Sequence, residues 1–464
     1  MPQASRRPIW LHSDRFLARN LGRPALRFLR IEAAGGILLL FSTVVALAWA
    51  NSPWSAAYHD LWTTEIAIDI AGHVVAEDLR HWVNDALMAL FFFVVGLEIK
   101  QELVTGHLSR VREALLPAVG ALGGMVAPAL IYTAINVGGD GSSGWGIPMA
   151  TDIAFALGVL ALLGERVPAS LKILLLALAI VDDIGAIAVI AAFYSDDIQG
   201  AWALAALAGL ALIAVLTRVR VWYVPVYTAL GFAVWFATLE SGIHATIAGV
   251  ALGLLCPAKP LMPEADAAVI AEELSDDRQV TVTEIRTVSF RLRESVSVAE
   301  RLQDLLHPWT SYLVIPVFAL ANAGVELSSD AIGDAATSPI TGGIVAGLLL
   351  GKVIGITGAI FVATKLRIAT LPPGVTMRQI AGMATLAGIG FTVSLFIAGL
   401  AFDTAALNAE AKIGILAASA LAAVGGSLGL RAALPRGAPN GATLMSGRDP
   451  SRLASRGRDE RPDG

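Results

Sequence analysis

Cysteine and charge are the scarce commodities in this chain of 464 residues. A single cysteine, Cys256, rules out any intramolecular disulfide framework. Only 15% of the residues are charged while 56% are hydrophobic, and the mean hydropathy is +0.68. That balance excludes an ordinary soluble core and defines a polytopic membrane protein that lives in a lipid bilayer. The net charge of −5 carries little information, because its distribution matters more than its sum. The N-terminal stretch has no 7–15-residue apolar run before a small-residue cleavage site, but it does have Arg6, Arg7, Arg15, Arg19, Arg23, Arg27 and Arg30. Residues 1–31 therefore read as an uncleaved, Arg-rich cytoplasmic leader.

A spanning helix needs about 20 mainly apolar residues. Twelve segments qualify: 32–51, 82–99, 114–136, 146–163, 170–193, 202–217, 222–239, 243–257, 308–322, 339–362, 377–401 and 410–431. With both ends inside, the inner loops carry Lys100, Arg110, Arg112, Arg166, Arg218, Arg220, Lys365 and Arg367, whereas the outer loops carry acids such as Asp140, Asp196, Asp197, Glu240, Glu326 and Asp403. Arg80 and Lys412, both near span ends, break the pattern. Otherwise the positive-inside rule is obeyed, independently of hydropathy. Three segments fall outside the spans. Glu65–Ile70 and His73–Glu77 alternate about Ala71-Gly72 and read as a small external β-hairpin. Residues 258–306 read as a charged cytoplasmic insert within the 32–435 membrane domain, and 436–464 as a disordered cytoplasmic tail.

Charge inside these spans marks function. Asp182 and Asp183 sit mid-way along LKILLLALAIVDDIGAIAVIAA (171–192). A charge there costs roughly 2.5–3.5 kcal/mol on insertion scales, which is tolerated when it faces a bundle interior or an aqueous path. Neighbouring positions lie about 100° apart around a helix, so the two carboxylates face one cavity but not one point. Asp152 follows Pro148 and Thr151. Thr and Asp favour N-caps over mid-helix positions, which predicts a broken span: a short half-helix, an extended link near Thr151, then a helix to Leu163. An interfacial cap at the membrane surface is the competing reading. A second break is expected where Gly388 and Gly390 precede Thr392 and Ser394. Paired interruptions in different halves of a transporter point to its binding site. Gly343, Gly347, Gly351 and Gly355 form a stripe that admits close helix approach; Lys352 follows one of its glycines, so it should point into that interface toward an intramembrane Asp. Glu98 and Glu102, one turn apart, read either as a collecting rim or as a solvated helix end, and His244 and His307 border spans.

Together these residues resemble a known family. ATDIAFALGVLALLGERVP (150–168), LALAIVDDIGAIAVIAAFYSDD (176–197), SGIHATIAGV (241–250), LHPW (306–309), FALANAGV (318–325), GLLLGK (347–352), AGIGFT (387–392) and NDALMALFFFVVGLEIK (84–100) are similar, in kept order over about residues 30–435, to the NhaA-type sodium/proton antiporters of bacterial inner membranes. The resemblance implies an all-α polytopic membrane protein with inverted repeats and two broken helices crossing at mid-membrane. It implies electrogenic, pH-activated exchange of cytoplasmic Na⁺ or Li⁺ for external H⁺, without a cofactor, a nucleic-acid partner or enzymatic activity, and a homodimer formed through the hairpin. It makes Asp183 the principal ion and proton ligand with Asp152 assisting, counts Asp182 and Thr151 with them as ion- and proton-binding residues, pairs Asp182 with Lys352, and puts Thr151 at the helix crossing. Glu98, Glu102, Asp304 and His244 become candidates for the pH response. The chain departs from the family pattern at Gln303-Asp304, where an acid is expected one place earlier, and at the 260–300 insertion. The alternative transporter is a sodium-coupled symporter of a small organic anion, for which the Gly-packed spans offer little cavity. An intramembrane aspartyl protease would resemble Tyr-Asp and Gly-x-Gly-Asp, but Asp152 follows Thr151 and Asp182 follows Val181.

Overall fold

The computed structural model describes residues 34–70, 73–195, 198–219, 221, 223–260 and 282–434. The Arg-rich leader, the hairpin tip at Ala71-Gly72, Asp196-Asp197, Arg220, Trp222, residues 261–281 of the insert and the C-terminal tail lie outside the described residues.

Helices occupy all twelve expected segments. In chain order they are α1 (Ala34–Ala50), the short α2 (Ser55–Trp62), α3 (Leu79–Val104), α4 (Val111–Ile135), α5 (Ile153–Leu162), α6 (Ala169–Phe193), α7 (Gly200–Arg218), α8 (Val224–Glu240) and α9 (Ala245–Leu255). Within the insert lies α10 (Val282–Glu294), and from its end rises α11, which runs from Val298–Trp309 through the π-turn Thr310–Val314 into Ile315–Asn322. The chain ends with α12 (Ser329–Thr337), α13 (Pro339–Lys365), α14 (Met377–Leu386), α15 (Phe391–Ala401) and α16 (Ala405–Ala433). By length and apolarity alone, seven helices among the described residues can cross a membrane, or up to nine if each of two bent pairs counts once. The outer surface fits such a setting: Phe41 and Leu204 are exposed by 63% and 68% with no polar purpose.

The hairpin forms as its alternation predicts, with β1 (Glu65–Ile70) antiparallel to β2 (His73–Asp78) and Glu65 opposite Asp78. Asp78 then caps the next helix by accepting from the His81 amide at 2.7 Å. Two boundaries differ from the sequence reading. The helix that contains the 308–322 segment starts at Val298, inside the expected insert, because Ser297 caps it by accepting from the Glu300 amide. Its first turns are amphipathic, so they fail a test for uniform apolarity while still forming helix. The half-helix expected before Asp152 is a tight 3₁₀ coil, Ser142–Met149, whose three glycine and proline residues disfavour α-helix.

The glycine stripe of α13 lies against α4 and this coil. A Cβ on Gly351 would sit 2.6 Å from Pro128 Cα, and one on Gly347 2.7 Å from Pro148 Cβ. Backbone-to-backbone approach of this kind needs small residues. A π-turn, Gly347–Gly351, ends directly before Lys352, a distortion that recurs at functional sites. Elsewhere α9 packs on α3, α16 on α13 and α14, and α1 on α5 and α11.

Candidate functional site

Two backbone interruptions meet at the centre of the molecule. The first is the extended link Ala150–Asp152 between the 3₁₀ coil and α5; the second separates α14 from α15, which are bent by 50° about Gly388-Ile389-Gly390. Helix breaks within a membrane survive only where the freed backbone groups find partners. Here each break supplies the other. The Asp152 amide donates to Ile389 O at 2.7 Å, the Thr151 hydroxyl lies 2.9 Å from Ala387 O, and the Ser394 hydroxyl donates to Ile147 O at 2.7 Å.

Asp152 is held by both half-helices. Its Oδ1 caps α5 by accepting from the Phe155 amide at 2.9 Å, and its Oδ2 accepts from the Thr392 amide at 3.0 Å and the Thr392 hydroxyl at 2.7 Å. Two helix N-termini thus converge on one carboxylate, and their dipoles favour negative charge there. Three of roughly four acceptor positions are used.

Asp182 is neutralised. Its Oδ2 accepts from Lys352 Nζ at 2.6 Å and lies 2.6 Å from the Thr151 hydroxyl. Lys352 Nζ also donates to Thr151 Oγ1 at 3.0 Å and to the Met149 carbonyl. Lys352, Asp182 and Thr151 are completely buried. The lysine therefore turns inward, as the glycine stripe implies, and its three acceptors come from α6 and the first break.

Asp183, the next residue on α6, differs from both. It is buried to 6% exposure, and its Oδ1, like Asp182 Oδ1, has no hydrogen-bond partner, but among the described residues no ammonium pairs with it as Lys352 pairs with Asp182. Its electrostatic neighbours are Asp182, Glu98 and Asp152 of like sign and Lys352 of opposite sign. A buried carboxylate oxygen without a donor is costly unless something else satisfies it. A proton does so, and so does a small hard cation, which prefers oxygen ligands. Among the described residues no cluster of three or more His, Cys, Asp or Glu side chains stands ready to hold a metal ion.

The other candidates lie further out. Glu98 Oε1 accepts from Gln303 Nε2 at 3.1 Å, joining α3 to α11. Asp304, expected to respond to pH, is exposed on α11, and its neighbour Gln303 takes the place beside Glu98. Helix periodicity explains this: one residue's shift turns the side chain by about 100°. Glu102 Oε2 accepts from the His107 amide at 2.9 Å and so closes the turn after α3. His244 Nε2 lies 2.5 Å from the Tyr194 carbonyl, to which it can only donate. Gly388 and Gly390 frame the second break.

Sequence reasoning passed over three contributors. Thr392 appeared only as part of a break, though a hydroxyl at the start of a half-helix signals a donor. The Met149 carbonyl and Tyr194 carry no residue-type signal. Tyr194 follows α6 directly, and its hydroxyl donates to Ser143 O at 2.7 Å and accepts from the Gly146 amide at 3.2 Å. Burial pushes this phenol up to about 12, so it keeps its proton.

Broken helices crossing at paired carboxylates, with a buried lysine beside them, define a secondary ion transporter. The profile of the family described as Na+/H+ antiporter 1 matches residues 26–430. The chain is similar to the Na(+)/H(+) antiporter NhaA 2 of Sorangium cellulosum, 46% identical over 89% of this chain and 91% of that protein. It is 43% identical to the Na(+)/H(+) antiporter NhaA of Oleidesulfovibrio alaskensis over 97% of this chain and 99% of that one, and 46% identical to the same-named protein of Proteus mirabilis over 88% and 97%. The chain belongs to the NhaA family of sodium/proton antiporters, which are multi-pass membrane transporters and not enzymes. Nothing in these relationships supports the organic-anion symporter.

Proposed function

We propose that this chain exchanges Na⁺ for H⁺ across the bacterial inner membrane, with Asp183 and Asp152 as the carboxylates for which the two ions compete. The observation that carries the reading is the contrast among three buried acids: Asp182 is neutralised by Lys352, Asp152 is held by two helix N-termini, and Asp183, whose Oδ1 has no donor, has no ion-pair partner among the described residues to offset it. Asp183 is therefore the group free to change its ligand. Competition for the same oxygens couples the two flows without a separate device, provided the site opens to one side at a time.

External protons neutralise Asp183 and Asp152; the site turns inward; both protons leave as one cytoplasmic Na⁺, or Li⁺, binds between the carboxylates; the site turns outward and releases the cation. Two protons against one cation move one net charge per cycle. A membrane potential then assists by about 2.3 kcal/mol per 100 mV. Cytoplasmic alkalinity deprotonates the carboxylates and so activates exchange, with Glu98 standing between the site and one end of α3. Twelve spans with both termini cytoplasmic, inverted repeats and a homodimer through the hairpin complete the reading, supported by charge distribution and family resemblance.

The test uses everted membrane vesicles with an acid interior reported by a quenched amine dye. Adding Na⁺ or Li⁺, but not a small organic anion, should restore fluorescence. No response to either cation at any alkaline pH would overturn the proposal.

A further inference from the structure

The 3₁₀ coil Ser142–Met149 is long for its type, because 3₁₀ runs beyond three or four residues are uncommon. It needs external support, and two tyrosines provide it. The Tyr132 hydroxyl, on α4, donates to Gly141 O at 2.7 Å. The Tyr194 hydroxyl, just past α6, bonds both Ser143 O and the Gly146 amide. Only a residue without a side chain fits opposite Tyr194, since a Cβ on Gly146 would lie 2.7 Å from its hydroxyl. The Tyr194 ring is fixed in turn: Trp145 stacks on it at 6.4 Å and 29° and meets Phe193 edge-on at 5.1 Å.

This contact closes a circuit. From Gly146 the chain reaches Ile147 O, which receives Ser394; Met149 O, which receives Lys352; and then Thr151 and Asp152. From Tyr194 in the other direction, α6 leads back through a continuous helix to Asp183 and Asp182. The Tyr194 hydroxyl thus ties the coil that leads into the first break to the end of the helix carrying the paired aspartates. Its carbonyl meanwhile holds His244 at the start of α9, so three elements share one anchor.

We propose that Tyr194 is a positioning residue for the cation site: its hydroxyl sets the separation of Asp152 from Asp183 by fixing the coil to the end of α6. The inference rests on the exchange reading above. Tyr194 touches no ion; it acts through Gly146 and Ser143 on Met149, Thr151 and Asp152.

Tyr194→Phe keeps the ring and its stacking but removes the hydroxyl. It should raise the apparent KM for Na⁺ roughly tenfold while maximal rate stays within about twofold, the pattern of lost ion binding rather than lost turnover. Gly146→Ala, which pushes the hydroxyl away from the other side, should do the same. Tyr132→Phe removes a bond to Gly141, further from Met149, and should leave KM unchanged. Na⁺ binding to each purified protein, by isothermal calorimetry in detergent, should weaken in parallel with KM. Unchanged Na⁺ affinity in folded Tyr194→Phe and Gly146→Ala would overturn the inference, as would a KM rise of equal size in Tyr132→Phe. A loss of melting temperature and rate at constant KM would reduce Tyr194 to a structural role and overturn it too. Failure of the wild type to exchange at all would instead strike the exchange reading, and the binding measurements would still decide the role of Tyr194.

Discussion

Replacing Lys352 by methionine isolates the buried ion pair. Methionine keeps most of the volume of the side chain while removing the ammonium. In the native protein Nζ donates to Asp182 at 2.6 Å, to Thr151 at 3.0 Å and to the Met149 carbonyl, all in a completely buried setting. After the change Asp182 keeps only the Thr151 hydroxyl, because its Oδ1 already lacks a partner. Removing one partner of a buried pair typically costs about 3–5 kcal/mol, since it leaves an uncompensated charge. The companion variant Asp182→Asn should cost a similar amount by stranding the lysine. The double variant Lys352→Met/Asp182→Asn strands neither charge and should recover part of the loss. Denaturant-induced unfolding in detergent micelles, run as a double-mutant cycle, reads the coupling directly. The expected value is on the order of 1–3 kcal/mol in the stabilising direction. Strict additivity of the two single losses would refute the pairing and with it the assignment of Asp182 to a structural rather than an ion-binding task.

Three further outcomes are expected. Thr392→Val removes one hydrogen bond to the Asp152 carboxylate, worth about 1.5–3 kcal/mol for a charged acceptor, and should raise the Na⁺ KM roughly tenfold or more in vesicle assays while the Thr392 amide still holds the half-helix. Gly388→Ala places a methyl group against the Leu348 carbonyl and 3.0 Å from Thr385 O, so it should lower the melting temperature and abolish exchange; wild-type stability would show that the break tolerates a side chain. Deleting residues 65–77 should convert dimer to monomer by native mass spectrometry while exchange persists, since an isolated hairpin is marginal and its edges invite pairing; cross-linking from Glu65→Cys in a Cys256→Ser background checks the contact.

The sequence carried the site further than its surroundings. Asp152, Asp182, Asp183 and Lys352 stand out because charge in an apolar run has few bland explanations, and Thr151 and the Gly388-x-Gly390 pair stand out because N-cap and glycine chemistry interrupts helices. What was illegible is long-range or geometric. Thr392 and Asp152 are joined across 240 residues of sequence by a bond no local pattern encodes. The π-turns at Val83–Leu87, Thr310–Val314 and Gly347–Gly351 insert residues that apolar periodicity averages away. Tyr194 and the Met149 carbonyl act by position: one is an ordinary aromatic at a helix end, the other a backbone atom. The start of α11 at Val298 was hidden because an amphipathic turn reads as a loop when only uniform apolarity is sought. The place of Gln303 beside Glu98 depended on a single residue of helix phase.

The most direct test compares Asp183→Asn with wild type in everted vesicles, with membrane content of each protein measured by immunoblot. The amide neither carries the charge nor exchanges a proton. Na⁺-driven fluorescence recovery should vanish in Asp183→Asn at normal protein levels, whereas Asp152→Asn should keep partial exchange at a raised KM. Full Na⁺/H⁺ exchange by Asp183→Asn would contradict the account at its centre.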